Sequence, residues 1–287
     1  MRFTTYLRNG APRLALVDGD DLIDLNDASP QVPSDVRAAL RAGIDLQAAG
    51  RAAAKEGRRQ PLAAATLAPL VPEPGKIVCL GLNYYDHAKE GGREKPDYPW
   101  FFFRAASSLV AHGQPGVVPQ VSQKFDYEAE LAVVIGRTVP RHTKEAQALQ
   151  YVFGYGCFND MSVRDYQKRT PQWTIGKNFD ATGGFGPVLV TADELAPGAT
   201  GLRIRSLLNG QVMQDANTDD MIFSVAETIA LLAEVLTLEP GDVILMGTPA
   251  GVGQARNPPV WMKAGDTIEI DIEKVGTLRN PIANEAK

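Results

Sequence analysis

A mostly β protein with some α, its core a rolled or barrel-like sheet, is the fold class this sequence predicts, and three observations predict it. Short apolar runs of strand length recur at 76–82, 130–135, 188–191, 202–208, 242–246 and 267–272. Well-signed helices are few. The runs are not separated by the regular long helical patterns that a doubly wound parallel sheet requires.

Taken in order, the first seventy or so residues differ in texture from the rest. Alternating stretches at 3–7 and 14–17 flank Asn9-Gly10, with Gly19-Asp20 after them, and read as short strands joined by turns. Residues 36–56 are rich in Ala and Arg and read as helical. The proline-punctuated tract 67–75 then marks a boundary, dividing residues 1–71 from 72–287. Further on, the run ending at Leu208 meets Asn209-Gly210, a hairpin signal. Residues 143–150 suggest a short helix. Ser224 with Glu227 forms a capping box for a helix over 225–236, which Pro240-Gly241 stops.

Composition excludes several classes. The 287 residues are 44% hydrophobic and 22% charged, with a net charge of −5 and no long basic run, which argues against nucleic acid or an anionic membrane as partner. No apolar stretch approaches the ~18–20 residues of a membrane span. The first residues lack the apolar core of a secretory signal, so the expected location is cytoplasmic. Cys79 and Cys157 lie in apolar runs and read as buried thiols, and with three histidines at no zinc-ligand spacing a zinc site is not expected.

The chemistry concentrates in a few places. Glu128 and Glu130 stand at i and i+2 in a strand-like run, so they share a face roughly 7 Å apart and repel unless a cation lies between them. A solvent-facing stripe is the alternative, although Ala132 and Val134 continue that face. A third carboxylate, Asp160, follows where the apolar run 155–158 stops at Asn159; it can complete a site for Mg²⁺ or Mn²⁺, or simply cap a turn. His87 and Glu90 are spaced i, i+3 and share a face if 86–90 forms a helical turn, and Gly91, Gly92 and the polar residues 89–95 would let the segment move as a lid; an incidental pair on a charged loop reads the same way. Lys177 lies among apolar neighbours and is either an anion contact or a snorkelling surface residue. Arg164 and Gln167 face one site if the stretch after Asp160 is a helical turn. Residues 247–253, Gly-Thr-Pro-Ala-Gly-Val-Gly, follow a strand; their backbone N–H groups and the Thr248 hydroxyl suit a carboxylate, and a plain tight turn also explains them.

Six ordered motifs together resemble the fumarylacetoacetate hydrolase superfamily, in particular its acylpyruvate-hydrolase-like members. They are Gly-Leu-Asn-Tyr-Tyr-Asp-His-Ala-Lys-Glu at 81–90, Asp-Tyr-Glu-Ala-Glu-Leu-Ala-Val-Val-Ile-Gly at 126–136, Asn-Asp-Met-Ser-Val-Arg-Asp-Tyr-Gln at 159–167, Gly-Lys-Asn-Phe-Asp at 176–180, the 247–253 loop, and Gly-Thr-Leu-Arg-Asn-Pro at 276–281. The resemblance implies a rolled β catalytic domain over 72–287 behind a small N-terminal α+β domain, commonly as a homodimer. It implies Mg²⁺ or Mn²⁺ on Glu128, Glu130 and Asp160, and a 2-oxo or 2,4-dioxo acid as the small-molecule partner. By the same match His87 and Glu90 form the lid dyad that activates water, Lys177 contacts the oxo acid, and Arg164, Gln167 and Thr248 support it.

The activity so implied is hydrolysis of a carbon–carbon bond in an acylpyruvate, such as fumarylpyruvate or maleylpyruvate, as in aromatic catabolism. The rival is an oxaloacetate decarboxylase, or another 2-oxo-acid lyase or isomerase using the same metal-enolate site. A non-catalytic oxo-acid-binding protein is a third reading, but it predicts loss of the carboxylate triad or the dyad, and both are intact. Tyr85, Phe102 and Trp173 are candidates for the acyl pocket. The chain departs from the pattern at 101–108, where relatives carry Phe-x-Lys-Pro: Arg104 replaces the lysine and the proline is absent.

Overall fold

The computed structural model describes residues 1–92 and 94–286; Arg93, within the expected lid segment 89–95, lies outside the described residues. The first strands form as their turn residues dictate. Asn9 and Gly10 take φ of 54° and 79°, the left-handed pair a two-residue hairpin needs, and Arg8 pairs with Ala11 across it. The helical stretch expected over 36–56 forms as two helices, Val36–Arg41 and Leu46–Glu56. Gly43, at φ 70°, ends the first, and the Asp45 carboxylate accepts the Ala48 N–H to start the second, so local capping overrides the Ala-rich composition.

Two mixed sheets make the core. An eleven-stranded sheet runs from the N-terminal strands through Gly183–Thr191, Val152–Asp160, Ala129–Ile135, Val243–Leu245 and Ile77–Gly81 to an edge at Trp100–Arg104. The N-terminal hairpin joins it directly, Arg2 opposite Val190 and Phe3 opposite Leu189. A five-stranded sheet contains Gln211–Asn217, Arg203–Leu208, Thr267–Ile272, Gly276–Asn284 and Gly116–Val118. Both sheets are open, so the barrel form of the expectation is not realised.

Topology explains why one end of the large sheet carries the chemistry. Ile77–Gly81 and Val243–Leu245 run parallel, so Gly81 and Gly247 emerge at the same end. Ala129–Ile135 is antiparallel to Val243–Leu245 and begins there, and Val152–Asp160, antiparallel to it in turn, finishes there with Asp160. Every residue of Ala129–Ile135 is buried. Its two faces pack into different clusters, Leu131, Val133 and Ile135 into one, Ala132 and Val134 into the other. The face that carries Glu130 is therefore covered, not a solvated stripe.

The capped helix forms as Val225–Val235, the Ser224 hydroxyl accepting the Glu227 N–H at 3.1 Å. The 143–150 helix shortens to one turn, Glu145–Ala148, followed by a 3₁₀ turn at Leu149–Tyr151. Both cysteines are free and buried. Among the described residues no helix is long and apolar enough to cross a membrane.

Candidate metal centre and active site

The sheet register brings the three carboxylates together. Glu128 precedes the strand Ala129–Ile135 by one residue; its carbonyl accepts the Asp160 N–H at 3.0 Å, and its N–H donates to Asn159 Oδ1 at 3.1 Å. Carboxylate oxygens of Glu128, Glu130 and Asp160 lie within 4.8 Å of one another, and all three residues are buried.

Such a cluster is costly unless positive charge compensates it. Lys177 Nζ lies 2.6 Å from Glu128 Oε2 and 2.5 Å from Asp160 Oδ2. Burial alone favours a neutral amine, but Asp160 and Glu128 outweigh it and raise the Lys177 pKa. Burial likewise pushes Glu128 upward, yet Lys177 and Arg164 overcome this and pull it down to about 2. Glu130 behaves oppositely: burial, then the Asp160 and Glu128 charges, push it well above the usual carboxylate range. Its Oε2 accepts the Gly247 N–H at 3.0 Å, and among the described residues it has no cationic side chain within ion-pair distance. Three hard oxygen donors, one lacking a counter-charge, fit a divalent cation such as Mg²⁺ or Mn²⁺.

Arg104 is where sequence reasoning stopped short. Its side chain is fully buried, and Nη1 donates to Asp160 Oδ1 at 2.5 Å, Nη2 to Thr182 Oγ1 at 3.0 Å and Nε to Ser108 Oγ at 3.3 Å. It holds a candidate metal ligand; in the sequence it had only cast doubt on a substrate contact. Gly183 makes the room, since a Cβ there would sit 3.0 Å from Arg104 Nη2 and from Phe158 Cζ.

Asp126 was missed as well. Fully buried, it accepts the Gly253 N–H at 2.7 Å, the Gln254 N–H at 3.0 Å and Arg164 Nε at 2.8 Å, so it ties the 247–253 loop to Arg164. The available signal was the continuation of the i, i+2 spacing one step back from Glu128. Arg164 turns Nη1 to Glu128 Oε1 at 2.7 Å and to Gln167 Oε1 at 3.0 Å, leaving Nη2 buried without a partner. The Thr248 hydroxyl accepts Gln214 Nε2 at 2.7 Å, and Gln214 in turn accepts the Ala129 N–H.

The His87 and Glu90 pair forms on the helix Tyr85–Glu90. His87 Nδ1 lies 3.3 Å from Glu90 Oε2, and Glu90 Oε1 accepts the Gly251 N–H at 3.0 Å, docking this helix on the glycine loop. Asn83 anchors the helix from below: Nδ2 donates to the Met246 carbonyl at 2.8 Å, while Oδ1 accepts the Phe223 N–H at 2.8 Å.

One cavity of about 320 Å³ is lined by every residue nominated from sequence except Asp160 and Tyr85. Phe102 and Trp173 line it too. Tyr85 does not: although it opens the helix Tyr85–Glu90, it is 56% exposed. Trp173 lies so close to Gly81 that a Cβ there would fall 2.1 Å from its ring.

Residues 76–283 match the family model described as Fumarylacetoacetate (FAA) hydrolase C-terminal. The chain is 40% identical to a mitochondrial oxaloacetate tautomerase of Homo sapiens, over 94% of this chain and 87% of that one. It is similar to the fumarylacetoacetate hydrolase of Exiguobacterium antarcticum at TM-score 0.86 and 32% identity, covering 99% of this chain and all of the other. It is also similar to a maleylpyruvate hydrolase of Sphingobium sp. SYK-6 in complex with manganese(II) and pyruvate, at TM-score 0.84 and 31% identity over the whole of both chains.

Proposed function

The chain belongs to the fumarylacetoacetate hydrolase family, and from that premise we propose that it is a divalent-metal enzyme that interconverts the keto and enol forms of a 2-oxo acid of the oxaloacetate type. The observation that carries this reading is the placement of the His87–Glu90 pair on the cavity that Glu128 and Glu130, two members of the buried carboxylate cluster with Asp160, also line. The greater identity to an oxaloacetate tautomerase than to the hydrolases supports it.

Glu128, Glu130 and Asp160 would hold Mg²⁺ or Mn²⁺, which supplies Lewis-acid polarisation of the 2-oxo group and lowers the cost of the enolate. The remaining work falls to the chain's own side chains. Glu90 accepts the Nδ1 proton of His87, which leaves Nε2 as the basic nitrogen. His87 takes the proton from C3 of the substrate and returns it to the C2 oxygen, so no net proton is consumed. Arg164 offers its unpartnered Nη2 to a substrate carboxylate, with Gln167 and Thr248 fixed beside it. The helix Tyr85–Glu90, docked on Gly251, screens the cavity from bulk water.

A second reading is hydrolysis of an acylpyruvate, with His87 taking its proton from water; the likeness to a maleylpyruvate hydrolase holding manganese and pyruvate favours it. One assay separates the two. Purified protein with added Mg²⁺ or Mn²⁺, with and without chelator, is given oxaloacetate and fumarylpyruvate, and enol absorbance and pyruvate release are followed. Chelator-sensitive enol decay of oxaloacetate without pyruvate is expected. Pyruvate from fumarylpyruvate alone selects hydrolysis, and no response to either substrate refutes both.

A further inference from the structure

We infer that Lys168 is the residue that recognises a second, distal carboxylate, making the site selective for dicarboxylic 2-oxo acids. The inference rests on reading the cavity as a 2-oxo-acid site, and it begins from charge pairing. The buried cations around the triad are already matched: Lys177 by Glu128 and Asp160, Arg164 by Asp126 and Glu128, Arg104 by Asp160. Lys168 lines the same cavity but is exposed, and among the described residues no carboxylate pairs with it and no acceptor takes a hydrogen bond from its ammonium, which leaves it able to meet an anion that enters.

Its surroundings increase the imbalance. Lys168 follows the turn Arg164–Gln167 directly, its backbone N–H donating to the Arg164 carbonyl at 3.1 Å. Partial desolvation, then Arg164 and Lys124, hold its pKa below the ordinary lysine value. Asp126 opposes them only weakly; its oxygens are already taken by Arg164 and two loop N–H groups. An ammonium that feels the charge of two other cations and has no anion paired with it gains from an anion that the ligand brings.

The layout gives that anion a direction. Arg164 has Nη1 on Glu128, and Lys168, four residues further on, lines the same cavity. The Nη2 of Arg164 is buried without a partner. In this proposal a 2-oxo acid whose oxo and first carboxylate groups face the triad turns the far carboxylate of a four-carbon chain to Lys168, and Phe102 and Trp173 also line the cavity.

The test is equilibrium binding by calorimetry to the manganese-loaded protein, using 3,3-difluorooxaloacetate, which has no C3 proton to lose, and 2-oxobutyrate, which has the same carbon chain without the distal carboxylate. Lys168→Met is expected to weaken the dicarboxylate about tenfold, the worth of one charge-assisted hydrogen bond, and to leave 2-oxobutyrate unchanged; Lys168→Arg restores much of the loss. Equal weakening of both ligands, or of neither, overturns the role of Lys168 while leaving the site assignment standing. Failure of the unsubstituted protein to bind either ligand overturns the site assignment itself, and this inference with it.

Discussion

Arg104 Nη1 lies 2.5 Å from Asp160 Oδ1, and neither side chain is exposed to solvent. Two further donors of the same guanidinium are spent on Thr182 and Ser108, so the carboxylate is held by a rigid fork. A lysine keeps the charge but cannot make all three bonds.

Arg104→Lys is therefore expected to lower Mn²⁺ affinity about tenfold, within the range for loss of a group supporting a metal ligand. Arg104→Met leaves Asp160 with one cation fewer in a dry site, and a stability loss of about 3–5 kcal/mol is expected for the metal-free protein. Titration calorimetry and denaturant unfolding measure the two effects. Unchanged affinity in Arg104→Lys would show that the fork does not position Asp160.

Glu130 gives the metal-free protein a distinctive pH dependence. Its folded pKa is raised above the unfolded value, so the folded state binds more protons, and stability falls as pH rises from the usual carboxylate range toward that raised pKa. Glu128, with its pKa pulled down, contributes stability that is lost only as pH falls toward about 2, so it does not mask the effect at neutral pH. Thermal unfolding of the metal-free protein between about pH 5 and about pH 8 should show a declining Tm. Glu130→Gln should flatten the decline, and saturating Mn²⁺ should reverse it in the unsubstituted protein. A Tm that rises with pH in the metal-free protein contradicts the assignment.

His87→Ala should reduce kcat by about 10²–10⁴-fold, the usual contribution of a general base, while metal affinity stays the same because His87 touches none of the three carboxylates by hydrogen bond. Glu90→Gln keeps an acceptor toward Gly251 but weakens the charge behind His87, so a smaller loss is expected. Steady-state kinetics beside Mn²⁺ titration reads both. Lost metal binding in His87→Ala would place His87 among the ligands instead.

Gly81→Ala tests the aromatic wall. The added methyl would meet the Trp173 ring at 2.1 Å, and Trp173 stacks on Trp100 with centroids 5.3 Å apart, so the ring must shift. Overpacking of this kind costs about 1–3 kcal/mol. The Trp fluorescence spectrum should change together with KM, and an unaltered spectrum with unaltered KM would mean the wall yields freely.

The strand runs and the triad were readable because both follow from side-chain alternation: Glu128 and Glu130 at i, i+2 declare one face, and the apolar residues after Glu130 declare that it is covered. Lys177 and Arg164 could not be placed from spacing, since both lie on short helical turns and their partner Glu128 is 49 and 36 positions away in the sequence. Arg104 was obscured for the same reason, its partner lying 56 positions on. The break in the helical stretch 36–56 was set by local chemistry, where Gly43 and Asp45 outweighed the alanines on either side.

The most direct measurement is calorimetric titration of Mn²⁺ into the metal-free protein and into Glu130→Gln and His87→Ala. One ion per chain is predicted, with binding lost in Glu130→Gln and intact in His87→Ala. An ion bound equally well by Glu130→Gln would contradict a metal centre built on Glu128, Glu130 and Asp160, and the chemistry assigned to it.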